Sequence, residues 1–240
     1  MRGFTNILTA LGVGLTFLFG CVERSSAAES PVTAIDIVLE PDAAMIQRAE
    51  AANARLLKVY PKGFALDETH RPHITILQRY VRTSDLKKVY AAVGRVLAKE
   101  KAAGWKLKAY KYYYLPWQDN GVAGIVIEPT ANLIKLQNIL IHVVGRYTVK
   151  NGTAAAFAAP PEDPEINQPT MDYVAAFVPK GTGRNFNPHV TVGIASQDYL
   201  KQMLAEPFDA FEFSPAGASV YQLGNFGTAR KQLKAWELTP

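Results

Sequence analysis

A short motif occurs twice in the sequence of 240 residues: PHITI at 72–76 and PHVTV at 188–192. Both copies are apolar and rich in β-branched residues, which is typical of a β-strand. Residues two apart in a strand point to the same face. His73 is therefore predicted to lie beside Thr75, and His189 beside Thr191. The intervening Ile and Val residues then face a core on the other side.

Two such strands, facing each other across a cleft, would place two imidazoles and two hydroxyls around one small volume. Imidazole titrates near neutral pH, so one histidine can take a proton from a nucleophile while the other protonates a leaving group. Hydroxyl groups donate hydrogen bonds to anionic oxygens. This set fits an in-line displacement at phosphorus and needs no metal. A single copy would equally fit a half-buried strand with Thr present for its β propensity, but the duplication favours the catalytic interpretation.

Four further residues near the motifs are candidates for substrate binding. Arg71 and Arg184 flank the two copies, and either guanidinium could hold a phosphate with two parallel hydrogen bonds. An ordinary solvated arginine would look the same in the sequence. Tyr80 and Tyr221 fall on predicted strands near the motifs, where their rings could stack on a base.

Lysines and aromatic residues are interleaved in the segment 106–114. Such a run could clamp single-stranded RNA, although an antiparallel strand with one polar face has the same pattern. His70 and His73 form an HxxH pair, but no nearby acidic pair completes a metal site. No metal and no cofactor are expected.

The composition limits the class of protein. Apolar residues make up 48% and charged residues 20%, which is ordinary for a soluble globular chain and excludes general disorder. One Cys excludes a disulfide scaffold, and one Cys with four His excludes a Cys-rich zinc site. The net charge of +5 suits a protein that meets anions, without by itself indicating nucleic acid. No glycine-rich phosphate loop is present.

The first residues are typical of a secretory signal. Arg2 precedes an uncharged apolar run at 7–20, which is shorter than the roughly 20 residues that span a membrane. Two cleavage sites compete: a lipobox that would place a lipid on Cys21, and a small-x-small site that ends at Ala28. The sequence thus predicts a signal of residues 1–20 or 1–28 and an exported protein, periplasmic or membrane-anchored, in a bacterium. Export removes the supply of ATP and NAD(P)H, which favours a reaction that needs only water.

The mature chain, residues 29–240, is predicted to form one α+β domain with mostly antiparallel sheets. Strands and helices alternate along it, and each half can supply a small sheet with helices on one face. Residues 150–170 are expected to form a long surface loop between two lobes. Residues 171–178 are apolar and are ambiguous between helix and strand.

The paired His-x-Thr motifs resemble those of the 2H phosphoesterase superfamily, which includes the LigT or 2′-5′ RNA ligase-like proteins. The segment 220–229 is also similar to the closing segment of some bacterial members. The resemblance implies a bilobal fold with two mostly antiparallel sheets, outer helices and a central cleft. It implies metal-independent opening of 2′,3′-cyclic phosphates or cleavage of related RNA phosphodiesters. The family's catalytic roles fall on His73, Thr75, His189 and Thr191.

The expected activity is therefore a cyclic phosphodiesterase that acts on nucleotides or RNA ends, with no DNA partner, and the expected state is a monomer. One histidine would activate water and the other would protonate the departing ribose oxygen, and the motifs do not indicate which does which. RNA 2′-5′ ligation would use the same proton transfers in reverse. A non-catalytic nucleotide or oligonucleotide binding protein is the alternative from another class, and turnover of a cyclic nucleotide distinguishes it from an enzyme.

Overall fold

A computed structural model describes residues 31–161 and 163–239 of the chain. The predicted signal, with Cys21 and both cleavage sites, lies outside the described residues, so export and lipidation stay predictions. Within the described ranges, no helix combines the length and the apolar character that crossing a membrane requires.

Five α-helices and nine strands form the described part of the chain. The helices are α1 (Ala43–Val59), α2 (Leu86–Glu100), α3 (Ala131–Gly145), α4 (Gln168–Gly181) and α5 (Gln197–Ala205). The first five strands are β1 (Val32–Pro41), β2 (Ile74–Arg82), β3 (Leu107–Trp117), β4 (Asn120–Ile127) and β5 (Thr148–Val149). The others are β6 (His189–Ser196), β7 (Phe211–Phe213), β8 (Pro215–Leu223) and β9 (Ala229–Glu237).

The strands form two antiparallel sheets, so the predicted α+β class is confirmed. The first sheet has the order β5-β2-β1-β8-β9 and the second has the order β6-β4-β3-β7. The expectation that each half of the chain supplies its own sheet is wrong. β8 returns to pair with the edge of β1 that β2 leaves open, and β9 pairs with β8. Alternating apolar residues do not encode which strand fills an open edge.

The helices also cross between the sheets. α1 follows β1 of the first sheet but packs against β6 of the second, and α3 follows β4 of the second sheet but packs against β2 of the first. The packed face of α1 carries Met45, Ala49 and Leu56, each at most 1% exposed. Each motif strand is therefore backed by a helix that comes from the other part of the chain.

The segment expected to be a surface loop is partly buried. Its Phe157 is 5% exposed, and its ring packs edge-on against Tyr80 with centroids 5.9 Å apart. The ambiguous segment after it is helical, because the Asn167 side chain caps α4 by accepting a hydrogen bond from the backbone N–H of Thr170 at 2.8 Å. α4 packs against β2 of the first sheet, and Tyr80 near the end of β2 donates to the carbonyl of Met171 in α4.

Candidate active site

Both motifs end in a β-bulge at the same position. The pairing of β2 with β1 shifts at Ile76, and the pairing of β6 with β4 shifts at Val192. A bulge inserts one residue into a strand and changes which side chains share a face. Thr75 and Gln78 therefore point to the same face of the first sheet, although they are three residues apart.

A buried carboxamide holds each bulge from behind. Gln137 of α3, which is fully buried, donates to the carbonyl of Ile76 at 3.0 Å and accepts from the backbone N–H of Gly183 at 3.2 Å. Asn53 of α1, which is 5% exposed, donates to the carbonyl of Val192 at 2.9 Å. The two crossed helices thus satisfy the backbone groups that the bulges leave out of the ladders.

The two histidines are held in the same way. Nδ1 of His73 lies 2.7 Å from the carbonyl of Arg71, and Nδ1 of His189 lies 2.8 Å from the carbonyl of Asn187. A carbonyl only accepts, so Nδ1 carries the proton in both rings and Nε2 is the nitrogen left for chemistry. β2 and β6 contact each other. The structure therefore brings both motifs to one place.

Asp36 of β1 lies beside the first motif and contacts its residues. Its Oδ2 accepts from the Thr75 hydroxyl at 2.8 Å and from Nε2 of Gln78 at 2.9 Å, and it lies 4.0 Å from Nε2 of His73. Burial raises the pKa of this fully buried carboxyl to about 7, against the hydrogen bonds from Gln78 and Thr75 that lower it. The carboxyl therefore titrates in the same pH range as an ordinary imidazole.

A second carboxylate, that of Glu40, lies towards the end of the same strand, β1. It accepts from the Ser219 hydroxyl at 2.6 Å and from the Tyr221 hydroxyl at 3.2 Å. Burial lowers the pKa of His73, while the Arg71 carbonyl and the Glu40 charge act in the opposite direction. Burial raises the pKa of the Tyr221 hydroxyl, and the Arg71 guanidinium opposes that rise. Arg71 and Tyr221 thus lie beside the first motif.

The surroundings of His189 are aromatic. The Tyr113 ring of β3 packs edge-on against the imidazole, with centroids 4.8 Å apart. Burial lowers the pKa of His189 to about 4, the Asn187 carbonyl opposes this, and the charge of His73 lowers it further. Gly124 makes room for the tyrosine, since a Cβ there would lie 2.6 Å from the Tyr113 ring. The hydroxyl of Thr191 has no hydrogen-bond partner among the residues that the structure describes.

Two sequence candidates lie elsewhere. Tyr80 is 1% exposed, and its hydroxyl donates to the carbonyl of Met171 at 3.0 Å beneath α4, so its ring does not face the cleft. The bulge and the helix that covers this end of the sheet together explain its burial. Arg184 is exposed in the short turn that precedes β6, and no contact joins its guanidinium to the motifs among the described residues.

Two exposed aromatic rings meet between the sheets. Trp117 at the end of β3 and Phe226 after β8 meet edge-on with centroids 5.4 Å apart, and they are 42% and 61% exposed. Phe226 has a φ of +56°, a left-handed conformation that costs a non-glycine residue roughly 1–2 kcal/mol. Its neighbour Gly227 accepts from Gln78 at 3.4 Å, which ties this turn to Asp36. The Trp117–Phe226 pair therefore joins the two sheets, beside the turn that Gln78 contacts.

Sequence reasoning missed several of these groups. Asp36 is the one acidic residue within the apolar run 32–39, and this was the available signal. The run at 106–114 forms part of β3, where only Tyr113 packs on a motif histidine within the described chain. Asn53 and Gln137 gave no signal, because a carboxamide in a helix is usually exposed.

The described residues hold no group of three or more His, Cys, Asp or Glu side chains that could bind a metal ion. In the HxxH pair, Nδ1 of His70 lies 2.9 Å from the Thr69 hydroxyl and its ring stacks on Phe64 with centroids 4.6 Å apart. Metal independence itself remains a prediction.

Two antiparallel sheets that meet at paired motif strands, with crossed helices behind them, form the 2H phosphoesterase fold. TT0787 of Thermus thermophilus has this fold, with a TM-score of 0.51 and 16% identity over 86% of this chain and 98% of that one. The prediction of the fold from the motifs is therefore confirmed.

Two other solved structures are similar at a lower level. Escherichia coli LigT in its apo form has a TM-score of 0.42 and 16% identity, over 88% of this chain and 100% of that one. Usb1 of Kluyveromyces marxianus with uridine monophosphate has a TM-score of 0.39 and 9% identity, over 88% of this chain and 99% of that one. No protein-family model matches the sequence, and no curated protein matches it significantly.

Proposed function

We propose that this protein is a phosphodiesterase that opens the 2′,3′-cyclic phosphates of nucleotides or RNA ends by two-histidine acid/base catalysis. The observation that carries the proposal is the matched pair His73 and His189. Each has Nδ1 bonded to a backbone carbonyl and Nε2 left for proton transfer. Their strands contact each other, and each histidine is two residues from a threonine hydroxyl on the same strand segment.

In this reaction one imidazole removes a proton from water as the water oxygen attacks phosphorus, and the other protonates the ribose oxygen that leaves. The nonbridging oxygens gain charge in the transition state and need donors. Thr191 suits this role because its hydroxyl is not bonded to any other described residue. Arg71, beside the first motif, is the proposed partner of the phosphate charge.

The substrate class follows from the rim of the cleft. Exposed aromatic rings are suited to stacking on a nucleobase of any kind, because every base has a π face. Trp117 and Phe226 are 42% and 61% exposed, and Tyr173 of α4, which lies near Asp36, is 52% exposed. We further propose that the chain acts after export, as the N-terminal residues predict, where water is the only co-reactant required.

The function is tested with the purified mature protein and the four 2′,3′-cyclic mononucleotides in the presence of EDTA. Turnover is expected to continue unchanged, because the proton transfers and the charge stabilisation come from side chains. Product is quantified by ion-exchange chromatography, with the His73→Ala/His189→Ala double variant as the control for contaminating enzymes. Activity that EDTA abolishes and zinc or manganese restores would rule out the metal-free mechanism. Tight binding of the nucleotides with no product would favour the non-catalytic alternative.

Removal of an exposed ring should weaken substrate binding more than catalysis. Trp117→Ala and Phe226→Ala should each raise KM about 10-fold, since a base stacked on an aromatic ring contributes about 1–3 kcal/mol. Steady-state kinetics on each cyclic nucleotide measure the change. Leu204→Ala on α5 is the matched control, because Leu204 is also 42% exposed. An unchanged KM in both ring variants would remove these residues from the substrate site.

A further inference from the structure

The two motifs occupy matching positions in their ladders, but their partner strands differ in chemistry. Relative to the bulge, Gln78 of β2 corresponds to Ile194 of β6, because each follows the motif threonine by three residues. Their direct partners are Asp36 on β1 and Val122 on β4. The first sheet therefore places a carboxyl where the second sheet places a valine.

The same difference recurs on the other side of each threonine. Thr75 pairs with Val38, and Glu40 lies two residues further along β1. Thr191 pairs with Gly124, and Val126 lies two residues further along β4, directly opposite His189. Two acidic side chains thus flank the first motif at positions where two valines flank the second.

This asymmetry decides which imidazole can carry a positive charge. A buried cation is stable only near an anion, and an opposite charge within about 4–6 Å favours the charged form. Asp36 Oδ2 lies 4.0 Å from Nε2 of His73. His189 instead packs on the ring of Tyr113.

We propose that Asp36 is a positioning residue that makes His73 the general acid, which leaves His189 as the general base. The inference rests on the proposed hydrolysis of a cyclic phosphate. It assigns the two roles that the near-identical motifs leave open. The charge of Glu40 supports the same assignment, because it also favours the protonated form of His73.

The proton transfers then balance as follows. The water oxygen bonds to phosphorus while Nε2 of His189 takes one of its protons. The bond from phosphorus to one ribose oxygen breaks, and that oxygen takes the proton from Nε2 of His73. The product is a phosphate monoester. One proton then passes through solvent from His189 to His73, and both residues are restored.

The groups that face the two rings support this direction of transfer. His73 lies near Asp36 and Glu40 of β1 and His189 of β6, and the Arg71 guanidinium acts on the Tyr221 hydroxyl. His189 lies near His73 and packs on the ring of Tyr113, whose hydroxyl has its pKa raised by burial. Tyr173 of α4 lies near Asp36 and also has its pKa raised by burial. Both carboxyl groups near the pair therefore lie on the side of His73: Glu40 acts on it as a charge, and Asp36 does so above its pKa of about 7.

The kinetic test uses two substrates and the isosteric variant Asp36→Asn. On a 2′,3′-cyclic nucleotide the pH–rate profile should be bell-shaped. The pKa of His189 sets its acidic limb, and the pKa of His73 sets its alkaline limb. Asp36→Asn should move the alkaline limb down by about one pH unit or more. Val122→Ala, at the matching position of the other sheet, should leave both limbs in place. A shift of the acidic limb alone in Asp36→Asn would overturn the assignment.

The second substrate is a 2′-deoxynucleoside 3′-(p-nitrophenyl) phosphate, whose nitrophenolate leaves without a proton. His73→Ala should hydrolyse it within about 10-fold of the wild-type rate while losing about 10²-fold or more on the cyclic nucleotide. His189→Ala should lose activity on both substrates. The reverse pattern would make His189 the acid and overturn the proposal.

A measurement without turnover separates this proposal from the proposed function. NMR titration of the two imidazoles should show His73 gaining its proton at a higher pH than His189. Asp36→Asn should lower the pKa of His73 and leave His189 the less basic of the two. If His189 gains its proton at a higher pH than His73, the assignment is wrong whatever the protein hydrolyses. If the order is as expected but no cyclic nucleotide is turned over, the proposed substrate is wrong and the charge assignment stands.

Discussion

His73→Ala and His189→Ala should each lower kcat on a 2′,3′-cyclic nucleotide by about 10²–10⁴-fold, the range that a positioned general acid or base supplies. Both imidazoles act in one displacement, so their effects should be strongly non-additive. The double variant should be little slower than the poorer single variant. Rates are measured with saturating substrate at the pH optimum of the wild type.

Circular dichroism and thermal melting on the same samples provide the control. If the histidines only packed in their strands, the variants would lose stability while the folded fraction kept its specific activity. A folded His73→Ala or His189→Ala protein with near wild-type turnover of a 2′,3′-cyclic nucleotide would end the two-histidine mechanism. Thr191→Val should have a smaller effect, roughly 10–10³-fold, if its hydroxyl stabilises transition-state charge.

Replacement of the two buried carboxamides should destabilise the whole fold. Asn53→Leu leaves the carbonyls of Phe64 and Val192 and the N–H of Leu66 without the partners now at 2.9, 2.9 and 3.1 Å. Each buried polar group left unpaired costs about 1–3 kcal/mol. The free energy of unfolding should therefore fall by about 2–5 kcal/mol, measured by urea denaturation.

Gln137→Met should have a similar effect, because it leaves the Ile76 carbonyl and the Gly183 N–H unpaired. Asn138→Leu is the matched control: Asn138 is the next residue of α3 and is exposed. That substitution should change the free energy of unfolding by no more than about 0.5 kcal/mol. Equal losses in Gln137→Met and Asn138→Leu would show that the bulge carbonyl does not depend on the carboxamide.

The strand period explains which parts of the site could be predicted. Residues i and i+2 share a face, and this rule predicts that His73 lies with Thr75 and His189 with Thr191. The same rule puts Gln78 on the opposite face from Thr75, because it assumes a regular ladder. The bulge at Ile76 reverses the faces beyond it, and a bulge leaves no mark in an apolar β-branched run.

Long-range pairing explains what could not be predicted. The acidic Asp36 stood out in its strand, but its partners Thr75 and Gln78 lie about 40 residues away, and alternation does not specify which strand pairs with which. The exposed ring of Phe226 depends on a left-handed backbone that Asn167 and Thr170 hold through hydrogen bonds to the turn. Local conformational propensity predicts neither the pairing of Asp36 nor the backbone conformation of Phe226.

The return of β8 and β9 to the first sheet has a consequence for how the chain folds. β1 begins at Val32 and pairs with β8, which ends at Leu223, so the sheet that holds Asp36 closes across most of the sequence. Pairings between such distant segments slow folding, because a long loop must close before the contacts form. During synthesis, β8 and β9 must emerge before the first sheet is complete, so Asp36 and the first motif gain their final surroundings only after the other described strands have been made.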